Sequence, residues 1–214
     1  MIKAVFFDLD GTIADTAPDL AHAINGMREA RRLAALPFST LRPVASLGAR
    51  GLLAAGFGMG PEHPEYGAMR EEFLSRYERD ICRETRLFQG TGELLGALES
   101  RGLRWGIVTN KAERLARLLL DALQMTRRAV CVIGGDSTPN IKPHPDPLLA
   151  ACRVIGEAAG NCVYVGDDQR DVQAARAAGM KAAAVYWGYL NGGDPGKWKP
   201  DFLLRHPLDL LGYL

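Results

Sequence analysis

Charge of one sign, cysteine pairs and long apolar runs are all missing from this chain of 214 residues, and each absence excludes something. The formal net charge is +1, so no overall field favours nucleic acid or an anionic membrane surface. The four cysteines, Cys82, Cys131, Cys152 and Cys162, include no C-x-x-C and no clustered spacing, which removes a zinc site and a disulfide framework. They are expected to be reduced, with Cys131 and Cys162 inside apolar strand-like runs. No uncharged apolar run approaches the ~20 residues of a membrane span, and the N-terminus has no basic, apolar leader pattern. A cytoplasmic protein is the expectation. Lysine is scarce as well: six residues against twenty arginines, with none between positions 4 and 110. The run Gly56-Phe57-Gly58-Met59-Gly60 is not G-x-G-x-x-G and follows no strand, which argues against a dinucleotide site. Repeats and low-complexity segments are absent.

What is present begins at Val5-Phe6-Phe7-Asp8-Leu9-Asp10-Gly11-Thr12. The apolar run reads as a buried strand ending in two acids one residue apart, so Asp8 and Asp10 project from the same side of its carboxyl end. Two crowded carboxylates repel unless a cation lies between them or one is protonated. Mg²⁺, which takes one or two carboxylates plus phosphate and water, suits that need. A strand end followed by an acidic turn is the plainer alternative.

After this strand the pattern is helical to about residue 85. Helices are expected over about 17–35, 40–46, 49–56 and 64–83, the first with Thr16 as N-cap and Asp19 completing a capping box. Strands and helices then alternate: a helix capped by Thr91 and ending at Gly102, strand 104–109, helix 111–123, strand 129–134 and helix 146–156. Strand 162–166, helix 169–179, strand 181–186, a loop over 188–200, a short strand near Phe202 and a terminal helix complete the chain. The fold class is α/β: a Rossmann-like parallel sheet covered on both faces, residues 1–15 plus 86–214, interrupted after its first strand by a helical insert, residues 16–85.

Three further strand ends are rich in polar residues: Thr109-Asn110-Lys111, the loop leading to Lys142-Pro143-His144, and Gly166-Asp167-Asp168-Gln169-Arg170-Asp171. Carboxyl ends of parallel strands share one edge, where ligands bind. Asp8, Asp10, Thr109, Lys142 and Asp167 therefore converge on one site. Each alone is also readable as a cap, a solvated loop lysine or an acidic first helical turn.

In order and context these four stretches resemble the motifs of the haloacid dehalogenase superfamily, and the insert resembles its C1-type cap. Within the superfamily the chain is similar to the phosphoglycolate phosphatase group. Local stretches such as Asp15–Asp19, Leu47–Gly51, Trp105–Lys111 and Trp187-Gly188-Tyr189 resemble the N-acetylmuramic acid 6-phosphate phosphatase branch. The resemblance implies a Mg²⁺-dependent phosphomonoester hydrolase acting on a small carboxylated phosphate ester through an aspartyl-phosphate. It assigns Asp8 as nucleophile, Asp10 as general acid and base, and Thr109 and Lys142 as phosphoryl-holding groups. Asp8, the Asp10 carbonyl and Asp167 would hold the metal. Leu9, Gly11, Thr12, Asn110, Asp168 and Asp171 would bind phosphate or support those groups. Arg50, between glycines 48 and 51, is either a contact for the substrate carboxylate or a solvated helix-start arginine.

His144 stands where the superfamily often has an acid. It is expected to be a loop residue, or to alter the surroundings of Lys142. Asp10 argues against a dehalogenase, which needs no acid there. The lysine-free stretch 16–85 argues against a Schiff-base phosphonate hydrolase and weakens a β-phosphoglucomutase-like phosphotransferase. A response-regulator receiver fits badly because its phosphorylated acid follows a middle strand. Monomer and homodimer are both compatible with the sequence.

Overall fold

The structure, a computed structural model, describes residues 2–214. Strand β1 (Ala4–Phe7) leads through the short β2 (Ala14–Asp15) into α1 (Ala17–Ala30), α2 (Phe38–Leu41) and a 3₁₀ turn over Arg42–Leu47. Helices α3 (Gly48–Phe57) and α4 (Tyr66–Arg79) follow, and β3 (Arg86–Leu87) pairs antiparallel with β2 where the chain returns. Then come α5 (Thr91–Ser100), β4 (Arg104–Val108), α6 (Glu113–Ala122), β5 (Val132–Ile133) and α7 (Asp146–Ile155). The chain closes with β6 (Cys162–Gly166), α8 (Gln169–Ala178), β7 (Lys181–Val185), β8 (Phe202–Leu204) and a 3₁₀ turn over Pro207–Gly212. Among the described residues no helix is long and apolar enough to cross a membrane.

The six strands are parallel in the order β5-β4-β1-β6-β7-β8. From β1 the chain builds outward through β4 and β5, then crosses back to lay β6 on the other side of β1. The order thus reverses beside β1, and a crevice opens at its carboxyl end. Alternation assigns the two faces: Val5, Phe7, Ile107 and Val165 pack with Leu94, Leu98 and Leu119 of α5 and α6. Ala4, Phe6, Val108 and Tyr164 pack with Leu148, Val172 and Ala175 of α7 and α8. A third apolar cluster joins Leu20, Ile24 and Met27 of α1 to Leu52, Phe73 and Tyr77, with Leu115 and Tyr189 reaching it from the sheet side.

Several local expectations need correction. Thr16 does not cap α1 with its side chain. The Tyr189 hydroxyl accepts from the Thr16 and Ala17 amides at 2.7 and 2.9 Å, leaving the Thr16 hydroxyl to donate to Asp10 at 2.6 Å. Asp19 completes no capping box. Its carboxylate takes the amides of Glu84 and Thr85 at 2.9 Å each and the Thr85 hydroxyl at 2.7 Å, tying the end of the helical insert to its start. Gly90, at φ +85°, replaces Thr91 as the N-cap of α5, because only a left-handed residue makes that turn. The strand expected over 129–134 is two residues long. It lies at the sheet edge with one neighbour, and Gly134-Gly135 then turn toward Lys111, whose carbonyl accepts the Gly135 amide at 2.8 Å. The first and fourth helices end early, at Ala30 and Arg79, and the terminal helix is a 3₁₀ turn.

Candidate active site

Asp8 follows β1 directly, and its amide donates to the Val165 carbonyl at 2.9 Å. That bond aims the Asp8 carboxylate into the crevice between β4 and β6. Lys142 Nζ lies 2.9 Å from Asp8 Oδ1 and 2.7 Å from Asp171 Oδ1, and donates to the Tyr164 hydroxyl at 2.6 Å. Tyr164 passes the chain on to the Val108 carbonyl at 2.6 Å. Burial disfavours the Lys142 charge, but Asp171 and Asp8 outweigh it and the pKa rises. Asn110 grips the Lys142 backbone at both ends, accepting its amide at 3.0 Å and donating to its carbonyl at 2.9 Å. His144 points away, its Nδ1 accepting from the Asp146 amide at 3.3 Å, so it does not alter Lys142.

Asp8, Asp167 and Asp171 bring carboxylate oxygens within 4.8 Å of one another, and all three are buried. Asp167 accepts from the Tyr189 amide at 2.8 Å, Ser46 Oγ at 3.0 Å and Thr12 Oγ1 at 3.4 Å. A Cβ at Gly11 or Gly188 would come within 2.2 Å of the Asp167 side chain, so two glycines let the backbone close around this acid. Burial, reinforced by Asp8 and Asp171, pushes Asp167 well above the ordinary carboxylate range. Burial and Asp8 also push Asp171 up, to about 6, against the pull of Lys142. Three buried carboxylates against one ammonium leave uncompensated negative charge, and a hard divalent cation supplies what is missing. The residues present fit Mg²⁺.

The other acids are paired off. Asp168 caps α8, accepting the Arg170 amide at 2.9 Å and the Arg170 guanidinium at 2.8 and 2.9 Å. Burial opposes its charge, but Arg170 wins and its pKa falls. Arg170 also donates to the Ser46 carbonyl at 3.0 Å, linking α8 to the helical insert. Asp10, expected to crowd against Asp8, is held by Lys111 Nζ at 2.9 and 3.0 Å. Lys111 in turn lies 4.5 Å from the ring centre of Tyr77 on α4. Thr109 is buried, its hydroxyl accepting the Lys111 amide at 3.2 Å. Leu9 is fully buried, its carbonyl receiving the amides of Ile13 and Ala14.

A cavity of about 350 Å³ runs from Asp8, Asp10, Thr109 and Lys142 to Arg50 and the inner face of α4. Six residues that shape this site were not singled out from the sequence: Ser46, Tyr77, Lys111, Tyr164, Arg170 and Tyr189. Lys111, beside Thr109-Asn110, Arg170, within the 166–171 stretch, and Tyr189, in the Trp187-Gly188-Tyr189 stretch, lay within motifs that could have flagged them, whereas Ser46 and Tyr164 lay in none.

The same order of motifs on the same strand ends is captured by a family model described as haloacid dehalogenase-like hydrolase, which matches residues 5–185. The chain belongs to that family. A phosphoglycolate phosphatase from Xanthomonas campestris pv. campestris is 47% identical over 209 residues, covering 97% of this chain and 94% of that protein. An N-acetylmuramic acid 6-phosphate phosphatase from Pseudomonas putida is 41% identical over 210 residues, covering 98% and 94%. Among solved structures of the family's fold, a predicted phosphoglycolate phosphatase from Haemophilus somnus 129pt superposes with a TM-score of 0.89 at 28% identity, covering 99% of this chain and 97% of that one.

Proposed function

We propose that this cavity hydrolyses small phosphate monoesters that carry a carboxylate, with Asp8 as nucleophile and residues 16–85 as a cap over a core of residues 1–15 and 86–214. The chain is a phosphatase of the haloacid dehalogenase family, with relatives of that activity along nearly its whole length. The observation that carries the reading is the meeting of Asp8, Asp167 and Asp171 around Lys142 at the floor of a cavity that also holds Asp10.

An Asp8 oxygen attacks phosphorus, the bond from phosphorus to the ester oxygen breaks, and the leaving alcohol takes a proton from Asp10. Water then attacks the aspartyl-phosphate, gives a proton to Asp10, and releases phosphate and the free Asp8 carboxylate. Lys111 Nζ stands 2.9 Å from the Asp10 carboxyl that gives and takes these protons. Lys142 neutralises charge on the transferring group, and the Thr109 hydroxyl and the amides of Leu9 and Asp10, which have no backbone acceptor among the described residues, face the same oxygens. Asp8, the Asp10 carbonyl and Asp167 would hold Mg²⁺, with Asp171 positioning Lys142; the ion would supply charge neutralisation at phosphorus. Gly11 and Thr12 shape the wall around Asp167, and Asp168 anchors Arg170.

The test is phosphate release from p-nitrophenyl phosphate with and without Mg²⁺. Turnover that stops with a chelator and returns with Mg²⁺ is expected. A folded protein with no turnover, or with turnover indifferent to chelation, overturns the reading.

A further inference from the structure

Most arginines near the helical insert are engaged: Arg31 and Arg76 with Glu72, Arg42 with Asp15, Arg170 with Asp168. Arg50 and Arg70 differ. Both are exposed, both line the cavity, and neither makes a hydrogen bond or ion pair among the described residues. An unpaired guanidinium on a cavity wall is a ready docking site for a carboxylate, to which it donates two parallel hydrogen bonds.

The two stand at different depths. Arg50 comes four residues after Ser46, whose hydroxyl touches Asp167, so it belongs near the phosphate end. Arg70 is on α4, where Tyr66, Arg70, Phe73 and Tyr77 fall at i, i+4, i+7 and i+11 and form one stripe facing the cavity. Tyr77 marks the floor end of that stripe, since its ring lies over Lys111 and Lys111 holds Asp10. Seven residues back along α4 is about 10 Å at ~1.5 Å per residue. The Cα–Cβ bond of a helical residue leans toward the N-terminus, which carries the Arg70 side chain farther still from the floor.

Resting on the phosphatase reading above, we propose that Arg70 anchors the carboxylate of a phosphorylated sugar acid, and so selects such an ester over a two-carbon acid phosphate. In the short ester the carboxyl carbon is three bonds from phosphorus, about 4 Å at ~1.5 Å per bond. In a hexose 6-phosphate with a lactyl ether across the ring it is eight bonds away, at most about 12 Å by the same measure. Only the longer molecule places its carboxylate beside Arg70 while its phosphate lies at Asp8. The cavity, about 350 Å³, has room for it. Tyr66, half-buried one turn before Arg70, offers flat apolar surface to the C–H face of a sugar ring.

The experiment compares kcat/KM for N-acetylmuramic acid 6-phosphate and N-acetylglucosamine 6-phosphate, which differ by the lactyl carboxylate arm, in the wild-type protein, Arg70→Ala and Arg70→Lys. The wild type should favour the carboxylated ester. Arg70→Ala should cut that ratio about 10- to 100-fold, the size of a charge-assisted contact, with the change in KM rather than kcat. Arg70→Lys should recover part of it, because lysine keeps the charge but loses the fork. A wild type that does not discriminate, or an Arg70→Ala ratio within about twofold of wild type, overturns the assignment, and a variant that merely packs badly falls in that second class by slowing both esters alike. If the wild type releases phosphate from neither ester nor from p-nitrophenyl phosphate, the phosphatase reading itself has failed. Turnover with an unmoved ratio sinks only Arg70.

Discussion

The floor and the helical wall of the cavity are built on opposite plans. On the floor every charged side chain has partners at hydrogen-bond distance: Lys142 with Asp8 and Asp171, Lys111 with Asp10, Arg170 with Asp168. Most of these groups are buried, and Lys142 and Lys111 each join side chains from different strand ends. On the wall, Arg50 and Arg70 are exposed and unpaired among the described residues, carried on helices packed largely against one another. On the floor, side chains fixed in this way keep the excess negative charge of Asp8, Asp167 and Asp171 in one place, a preorganised electrostatic field. On the function proposed above, the unpaired arginines meet the rest of the substrate, and the chemistry and the choice of substrate then belong to different parts of the chain.

Breaking the floor should cost far more than breaking the wall. Asp8→Asn should lower kcat by about 10⁴- to 10⁶-fold on any ester, since no other group can form the covalent intermediate. Rates near wild type would erase the distinction altogether. Lys142→Met should reduce kcat about 10²- to 10³-fold. It should also destabilise the metal-free protein by about 3–5 kcal/mol, because Asp8 and Asp171 lose their shared buried counter-charge. Denaturant titration checks the second figure, and an unchanged midpoint would show that the floor is not held by this network.

Mg²⁺ should raise Tm by about 5–10 °C when present at about 100 times its Kd, and the gain should depend on pH. Asp171 stands at about 6 in the folded chain against an ordinary 3.8, and Asp167 is raised too. A raised value means the folded state holds the proton more tightly. That contribution to stability is complete below about 3.8 and is lost as pH rises through about 6. The ion competes with those protons, so its effect should be larger near pH 7.5 than near pH 5. Calorimetric melts showing equal gains at both would contradict it. The smallest effect belongs to the wall: Arg50→Ala should raise KM about tenfold for a carboxylated ester and much less for p-nitrophenyl phosphate. Equal shifts for both would move Arg50 from the wall to the floor.

Legibility followed the range of the interaction. Helices and strands were readable wherever periodicity was strong, as in β6 and α8, whose observed bounds of 162–166 and 169–178 differ from expectation by one residue at most. Errors arose where a distant group intervened. The Thr16 and Asp19 spacing matched a capping box, yet a tyrosine 173 residues away took the amides and the 84–85 turn took the acid. Asp10 looked crowded against Asp8 because they are two residues apart, while its partner Lys111 is 101 residues distant. The edge strand β5 shrank because a single neighbour and two glycines give little to extend it.

Alternation of apolar residues, helical spacing and the order of strand ends by themselves determined the layered sheet, the helical insert and the convergence of Asp8, Asp10, Thr109, Lys142 and Asp167 on one edge, because these are properties of neighbours along the chain. Only the tertiary structure decided which of the acids cluster together and which are paired with Lys111 and Arg170, and that Ser46 and Tyr189 close around Asp167. Those outcomes turn on distances of about 3 Å between side chains carried on different strands and helices, where Coulomb and hydrogen-bond energies change steeply and no local pattern reports them.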